Sequence, residues 1–116
     1  MKFVNLTIIA PSDYEDKLKV ITKEAGASGA TIVQGRGYGH AEKKSFFSLT
    51  FEGNHVIITQ ILEEKISKAI LKAIKKGIQE GELDAIAYTS PINHIVGLNT
   101  CTLKKFEETI KQEGAV

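Results

Sequence analysis

Residues 63–81 read EEKISKAILKAIKKGIQEG, and this stretch carries the clearest helical pattern in the chain. Isoleucine and alanine recur three and four residues apart, so one side of the predicted helix is apolar. These positions are Ile66, Ala69, Ile70, Ala73, Ile74 and Ile78. Glu63 and Glu64 complement the helix dipole at its start, and Gly81 is placed to end it. The apolar side must pack against a second layer of structure.

Strand patterns lie on both sides of this helix. Before it, residues 46–51 and 55–61 are rich in apolar and β-branched side chains, and Gly53-Asn54 between them predicts a turn or bulge. After it, residues 85–89 and 92–98 predict two short strands separated by Ser90-Pro91.

The first part of the chain repeats this layout. Residues 3–10 predict a strand that stops at Pro11. Ser12 is predicted to cap a first helix, and Gly26 is predicted to close it. Residues 30–34 predict a second strand that runs into a cluster of glycines.

The order is therefore β-α-β followed by β-α-β. Chains of this order usually form an α+β, ferredoxin-like βαββαβ sandwich, in which two helices cover one face of an antiparallel four-stranded sheet. With 116 residues, 42% of them hydrophobic and 25% charged, the chain has the size and composition of one soluble domain, 1–116. Within it, residues 103–116 are expected to form a C-terminal extension, with a loosely attached helix over 103–112.

Charge and cysteine content limit the function classes. Fifteen Lys and Arg against fourteen Asp and Glu leave a net charge of +1, so the chain lacks the basic field that holds nucleic acid. A single cysteine, Cys101, excludes an internal disulfide and suits a reducing compartment. No apolar run approaches the ~18 residues that span a bilayer. We expect a cytoplasmic protein without nucleic acid as a partner.

The sequence offers little support for catalysis or metal binding. His40, His55 and His94 lack the short spacings typical of metal ligands, and no metal is predicted. None of the serines lies in a G-x-S-x-G setting that would activate a nucleophile. We therefore expect a protein that is not an enzyme.

The stretch GATIVQGRGYGHAEKK, residues 29–44, holds four of the ten glycines. It could be a loop whose backbone approaches a ligand, or a weakened strand that twists before a loop. Arg36-Gly37-Tyr38-Gly39 also fits the opening of an RNA-binding signature. That interpretation is the weakest, because His40 and Ala41 stand where the signature has aromatic rings and the stretch lies on the second strand instead of the third.

Taken together, residues 2–100 resemble the PII nitrogen-regulatory signalling family. The resemblance rests on TIIAP at residues 7–11, on Gly29-x-Thr31 followed by Gly37-Tyr38-Gly39, and on LEEKISKAILKAI before EGELDAIAYTSPINHIVGL. It implies a βαββαβ sandwich that assembles as a homotrimer. It also implies nucleotide sites in clefts between neighbouring subunits, and a loop between strands two and three that grips a partner.

The resemblance also implies site residues. Gly29 and Thr31 would line the side that holds the base, and Gly37 and Gly39 would approach the phosphates. The remaining matched positions are Ile8, Asp84 and Tyr38, of which the tyrosine is expected to pack and not to bind.

The chain departs from the family pattern where that pattern is basic. Ala10, Gly97 and Asn99 stand at or near positions where typical members have lysine or arginine. Fewer charge-assisted hydrogen bonds to phosphate remain, so AMP or ADP is expected before ATP as the adenine nucleotide. His40, beside the glycines, would make phosphate binding weaken as the pH rises past neutrality.

The function implied by the resemblance is that of a trimeric regulator. It would bind a small effector and control a protein target such as a membrane transporter or a metabolic enzyme. Two alternatives stay open: a trimer of the same architecture with a structural or metal-tolerance role and no nucleotide, and an RNA-binding βαββαβ domain.

Overall fold

The computed structural model describes residues 1–37, 53–98 and 107–110. In chain order its elements are β1 (Phe3–Pro11), a 3-10 helix (Ser12–Tyr14), α1 (Glu15–Glu24), β2 (Thr31–Gly37), β3 (Gly53–Glu63), α2 (Glu64–Gln79) and β4 (Ile86–Pro91). Residues 107–110 are helical as well. No helix within the described ranges is long and apolar enough to cross a membrane.

The four strands form one antiparallel sheet in the order β2-β3-β1-β4. β1 pairs with β3 along its whole length, from Phe3 opposite Glu63 to Pro11 opposite His55. β4 lies on its other side, with Ile9 opposite Ile86. This arrangement is the predicted ferredoxin-like sandwich.

The hydrophobic core lies between the sheet and the helices. Alternate residues of the two central strands face the helices, because successive side chains of a strand point to opposite faces. The core side chains from these strands are Leu6, Ile8, Ala10, Val56, Ile58 and Leu62. Leu18 comes from α1, and Ile66, Ile70 and Ile74 come from α2. Of the stripe predicted for residues 63–81, Ile66, Ile70 and Ile74 cover the sheet, whereas Ala73 and Ile78 are exposed.

Both ends of α2 agree with the sequence prediction. The Glu63 carboxylate accepts a hydrogen bond of 2.7 Å from the backbone N–H of Lys65, which caps the first turn. Glu64 lies 3.3 Å from the Lys68 ammonium and 3.4 Å from that of Lys2. The hydrogen bond from Lys68, then the charge of Lys2, lowers the pKa of the Glu64 carboxyl. At the other end Gly81 takes a φ of +75°, which favours glycine.

The start of α1 differs from the prediction. Ser12 is not its cap: the helix begins at Glu15 after Tyr14, and no side chain caps it. Pro11 has a φ of −57° and is followed at once by the 3-10 helix, which contains Ser12. The hydroxyl of Ser12 therefore lies three residues before the first turn that it was predicted to cap.

The end of β2 and the start of β3 also differ from the prediction. Gly53-Asn54 is neither a turn nor a bulge: both residues continue β3, opposite Gly37 and Arg36. β2 likewise extends beyond residue 34 through the glycines to Gly37. Ladder pairing satisfies the backbone of these residues, which outweighs their turn propensity. The strand predicted at 46–51 lies outside the described residues.

β4 is one strand, not two. It runs through Ser90 to Pro91, and residues 92–98 contain no strand, so the strand predicted there is wrong. β4 lies at the sheet edge, where a proline can be accommodated. Its partner β1 begins at Phe3, and the ladder ends where the N–H of Ile92 donates to the Phe3 carbonyl at 3.4 Å. The carbonyl of Lys2 instead accepts a hydrogen bond from the N–H of Glu64.

The packing of Leu83 onto α2 gives a test of this fold. A Cβ at Gly77 would lie 2.7 Å from Cδ2 of the buried Leu83. In an open helix Gly→Ala stabilises by about 1 kcal/mol. Here Gly77→Ala is expected to lower the free energy of unfolding by about 1 to 3 kcal/mol, because overpacking dominates.

Urea unfolding at fixed protein concentration measures this effect. The control is the same change in a Leu83→Ala background, where the obstructing atoms are gone and Gly77→Ala is expected to stabilise. Stabilisation in both backgrounds would contradict the packing described.

Candidate functional site

The predicted site residues lie in two groups at opposite ends of β2. Gly29 and Thr31 lie at its start, and Gly37 lies at its end. β2 is seven residues long, so the two groups are about 20 Å apart at ~3.3 Å per residue. Tyr38 and Gly39 lie outside the described residues. We call the two places the Thr31 end and the Gly37 end.

Two cavities meet at the Thr31 end. The first, about 640 Å³, lies between the last turns of α1 and the start of β2, with Lys19, Lys23 and Ile32 in its wall. The second, about 710 Å³, is an open groove that includes Asn5, Thr31 and Ser90. Gly29, Ala30 and Gln60 line both. The predicted base-binding residues are thus next to space that could hold a small molecule.

The first cavity is polar on one side. Lys19 forms an ion pair of 3.0 Å with Glu15, one helical turn away. The hydrogen bond with Glu15, and then its charge, raises the pKa of Lys19, so this amine stays cationic at neutral pH. Glu108 and Thr109, from the helical residues 107–110, also line the cavity. A Cβ at Gly26 would lie only 2.6 Å from Cγ2 of Thr109, which shows how closely this segment packs on the loop after α1.

The Gly37 end is built around a buried histidine. His55 is 4% exposed, and a Cβ at Gly37 would lie 3.0 Å from its Cε1 atom. The close approach at Gly37 within the described structure is by the His55 ring, and the approach of a phosphate to Gly37 stays a prediction. A positive φ is found at Gly26, Gly81 and Gly97 and not at Gly37.

Asp84 and Ile8 complete the predicted set. Asp84 lies just before β4, whose first residue is opposite Ile9, so it is at the same end of the sheet as Gly37. It lies at the opposite edge, however, three strand spacings or about 14 Å away. The Ile8 side chain is fully buried in the core, and it supports the sheet beneath any surface site.

The sheet face opposite the helices is partly apolar and uncovered in the single chain. Val33, Ile61 and Tyr88 on this face are 42 to 50% exposed. Ile9 and Ile57 lie beside each other at its centre and are half-buried. We call these five residues the open face. A contiguous apolar surface of this kind marks an interaction site.

Sequence reasoning missed Gln60. The buried helix-facing positions of β3 are Val56, Ile58, Gln60 and Leu62, and the glutamine is 4% exposed. An amide in an otherwise aliphatic row was the available signal, because a buried polar group needs a partner. His55 and His94 belong to no group of metal-ligating side chains among residues 1–37, 53–98 and 107–110, and His40 lies outside these ranges.

The fold is that of a class of small α+β proteins in which two helices cover one face of a four-stranded antiparallel sheet. The sequence model of the nitrogen regulatory protein P-II family matches residues 3–100. The chain belongs to this family, as its motifs predicted. No curated protein matches the chain closely enough in sequence to add to this assignment.

Solved structures of PII-like proteins have the same fold. A putative PII-like signaling protein from Thermus thermophilus is 25% identical, with a TM-score of 0.60 over 79% of this chain and 90% of its own. CPII, a nitrogen regulatory PII-like protein from Thiomonas intermedia bound to ADP, AMP and bicarbonate, is 15% identical, with a TM-score of 0.64 over 84% and 98%. A DUF3240 family protein from Shewanella baltica is 15% identical, with a TM-score of 0.63 over 85% and 99%.

The two described glycines at the end of β2 form a matched pair for mutation. Gly37→Ala places a methyl group against the buried His55 ring, whereas a Cβ at Gly35 meets no atom within 4 Å. Gly37→Ala is expected to destabilise the fold by about 1 to 3 kcal/mol and to shift the His55 ring resonances, and Gly35→Ala is expected to do neither.

Thermal unfolding and the His55 ring signals in NMR spectra measure the two effects. Equal behaviour of both variants would show that the ring does not pack against Gly37. A Gly37→Val variant made to test ligand binding must be interpreted with this contact in mind.

Proposed function

We propose that the protein is a trimeric signalling protein that binds an adenine nucleotide in clefts between neighbouring subunits. Occupancy of these clefts controls a partner protein. The chain acts in the cytoplasm, by binding and not by catalysis. Membership of the P-II family supports this function. The observation that carries it is the separation of the site residues into two groups along β2.

That separation favours a site shared by two subunits. The Thr31 end and the Gly37 end are about 20 Å apart on one chain, which exceeds the length of a nucleoside monophosphate. A cleft between subunits would bring the Thr31 end of one chain to the Gly37 end of the next. The base would lie beside Gly29 and Thr31, and the phosphate would lie near Gly37 of the neighbour.

The open face supports the assembly that such clefts need. Ile9 and Ile57 occupy its centre, and three of its residues are more than two-fifths exposed in the single chain. Contact with neighbouring subunits would bury these side chains. Each Å² of apolar surface removed from water stabilises the assembly by about 25 cal/mol. Three copies arranged about one axis bury all three open faces together.

The composition of the Gly37 end supports a ligand with few phosphates. Ala10, at a position where typical family members have lysine, is 1% exposed and turned toward the helices, so it offers phosphate no charge. Gly97 follows the end of β4 that pairs with Val4, at the other end of the sheet from Gly37, and it has a φ of +105° and no side chain. Asn99, His40, Lys43 and Lys44 lie outside the described residues, and Arg36 is the described cation on β2. CPII, a relative in fold, was solved with ADP and AMP.

The partner would be a protein target such as a membrane transporter or a metabolic enzyme. In this family the segment between β2 and β3 makes that contact, which corresponds to residues 38–52 here. Those residues lie outside the described part of the chain. The proposal for them therefore rests on family membership alone.

Light scattering tests the assembly. A trimer is expected at micromolar concentration, at three times the 12.7 kDa of the chain. Ile61→Lys is expected to weaken it, because the lysine would bury a charge in the open face. Ile78→Lys is the matched control: Ile78 is 41% exposed against 42% for Ile61, but it lies on α2. A monomeric wild-type protein would contradict both the proposed trimer and the clefts between its subunits.

Isothermal titration with AMP, ADP and ATP at pH 6 and pH 8 tests the ligand. AMP or ADP is expected to bind more tightly than ATP, since two missing charge-assisted contacts weaken binding by roughly 3 kcal/mol, or over a hundredfold. Binding is expected to weaken at pH 8, because His40, which follows the glycines in the sequence, would lose its proton. Tighter binding of ATP than of AMP would show that the phosphate lies elsewhere, and no binding would favour a structural trimer.

A further inference from the structure

Gln60 is the buried polar side chain in the helix-facing row of β3, since Asn54 in the same row is exposed. Its neighbours in that row, Val56, Ile58 and Leu62, belong to the hydrophobic core. Gln60 is 4% exposed, as buried as they are. Burying an amide group without a hydrogen-bond partner destabilises a protein, because the group loses its contacts with water. A buried polar residue that carries this energetic cost calls for a functional explanation.

The orientation of the Gln60 amide is set by a backbone carbonyl. Nε2 donates a hydrogen bond of 3.0 Å to the carbonyl oxygen of Gly29. That oxygen can only accept, so the nitrogen of the amide must face it. Oε1 is consequently fixed as an acceptor. It is buried and receives no hydrogen bond from any described residue.

Gln60 also lines both cavities at the Thr31 end. One wall of the first cavity is apolar, with Ala27, Ala30 and Ile32, and would suit a flat ring. An occupant beside Gln60 can satisfy Oε1 only if it carries a hydrogen-bond donor, an N–H or an O–H group. Adenine has such a group in its exocyclic amine, whereas hypoxanthine and guanine have a carbonyl oxygen at the same ring position.

We propose that Gln60 determines base specificity by accepting a hydrogen bond from the exocyclic amine of adenine through Oε1. This inference rests on the proposed nucleotide site and adds a residue and a selection rule to it. Glutamine recognises adenine in this way in nucleic-acid complexes, since its amide matches the amine and a ring nitrogen. A 6-oxo purine would place its oxygen against Oε1, leaving two acceptors facing each other without a proton.

The test compares AMP with IMP and GMP by isothermal titration on the full-length protein. The wild-type protein is expected to bind AMP about tenfold to a hundredfold more tightly than IMP, the range for one lost contact at a buried polar group. AMP and IMP have the same ribose and phosphate, so their ratio reports on the base alone.

Two matched variants test whether the ratio of AMP affinity to IMP affinity depends on Gln60. Gln60→Met keeps a similar length without the acceptor, and is expected to bring the AMP to IMP ratio close to one. Gln34→Met is the control, because Gln34 is exposed on β2 and lines neither cavity. It is expected to keep the wild-type ratio. Thermal unfolding checks that both variants are folded.

The outcomes separate this inference from the proposed function. Equal binding of AMP and IMP to the wild-type protein, or an unchanged ratio in Gln60→Met, would overturn the role of Gln60 and leave the nucleotide site standing. No binding of any of the three nucleotides would overturn both. The wild-type ratio needs no variant, so the proposal stays testable even if Gln60→Met fails to fold.

Discussion

The pairing of β1 with β3 is the constraint on which the rest of the molecule depends. Over nine residue pairs it places Ile8 opposite Ile58, and both face the helices. A slip of one residue would turn these core side chains to the other face and bring Ile9 and Ile57 inward. The same register thus determines two surfaces at once: the core under α2 and the open face on the other side.

The position of β2 then decides what kind of site the fold can hold. As an edge strand it presents one side to β3, and its two ends carry different chemistry. The start is next to cavities and the buried amide of Gln60, and the end is tightly packed over His55. A single chain therefore offers two half-sites. In the proposed trimer, nucleotide affinity and subunit association depend on the same contacts, and each strengthens the other.

The sequence predicts the architecture well because its strongest signals are periodic. The stripe of α2 and the apolar run of β1 identify their elements without knowledge of the partners. The errors are local and have a common cause. Gly53-Asn54 and residues 92–98 were assigned from their own composition, but their structure depends on whether a neighbouring strand is available to pair.

Candidate site residues were harder to predict for the same reason. Gly29 and Thr31 were implied by the resemblance to the family, and they lie beside cavities. The contact of Gly37 with His55 joins residues far apart in sequence, and no spacing rule reveals it. Gln60 shows its importance only when its burial and its unsatisfied oxygen are seen together.

The close packing of Thr109 on Gly26 has a consequence for how binding could be sensed. Helical residues 107–110 form part of the wall of the first cavity, so an occupant either contacts them or displaces them. Ligand affinity and the position of this segment are then thermodynamically linked, and the linkage is reciprocal. A change that loosens the segment must alter the affinity of any ligand that contacts it, and such a ligand must alter the protection of its amides against hydrogen exchange. Residues 107–110 would then report occupancy of the cavity without any movement of the sheet.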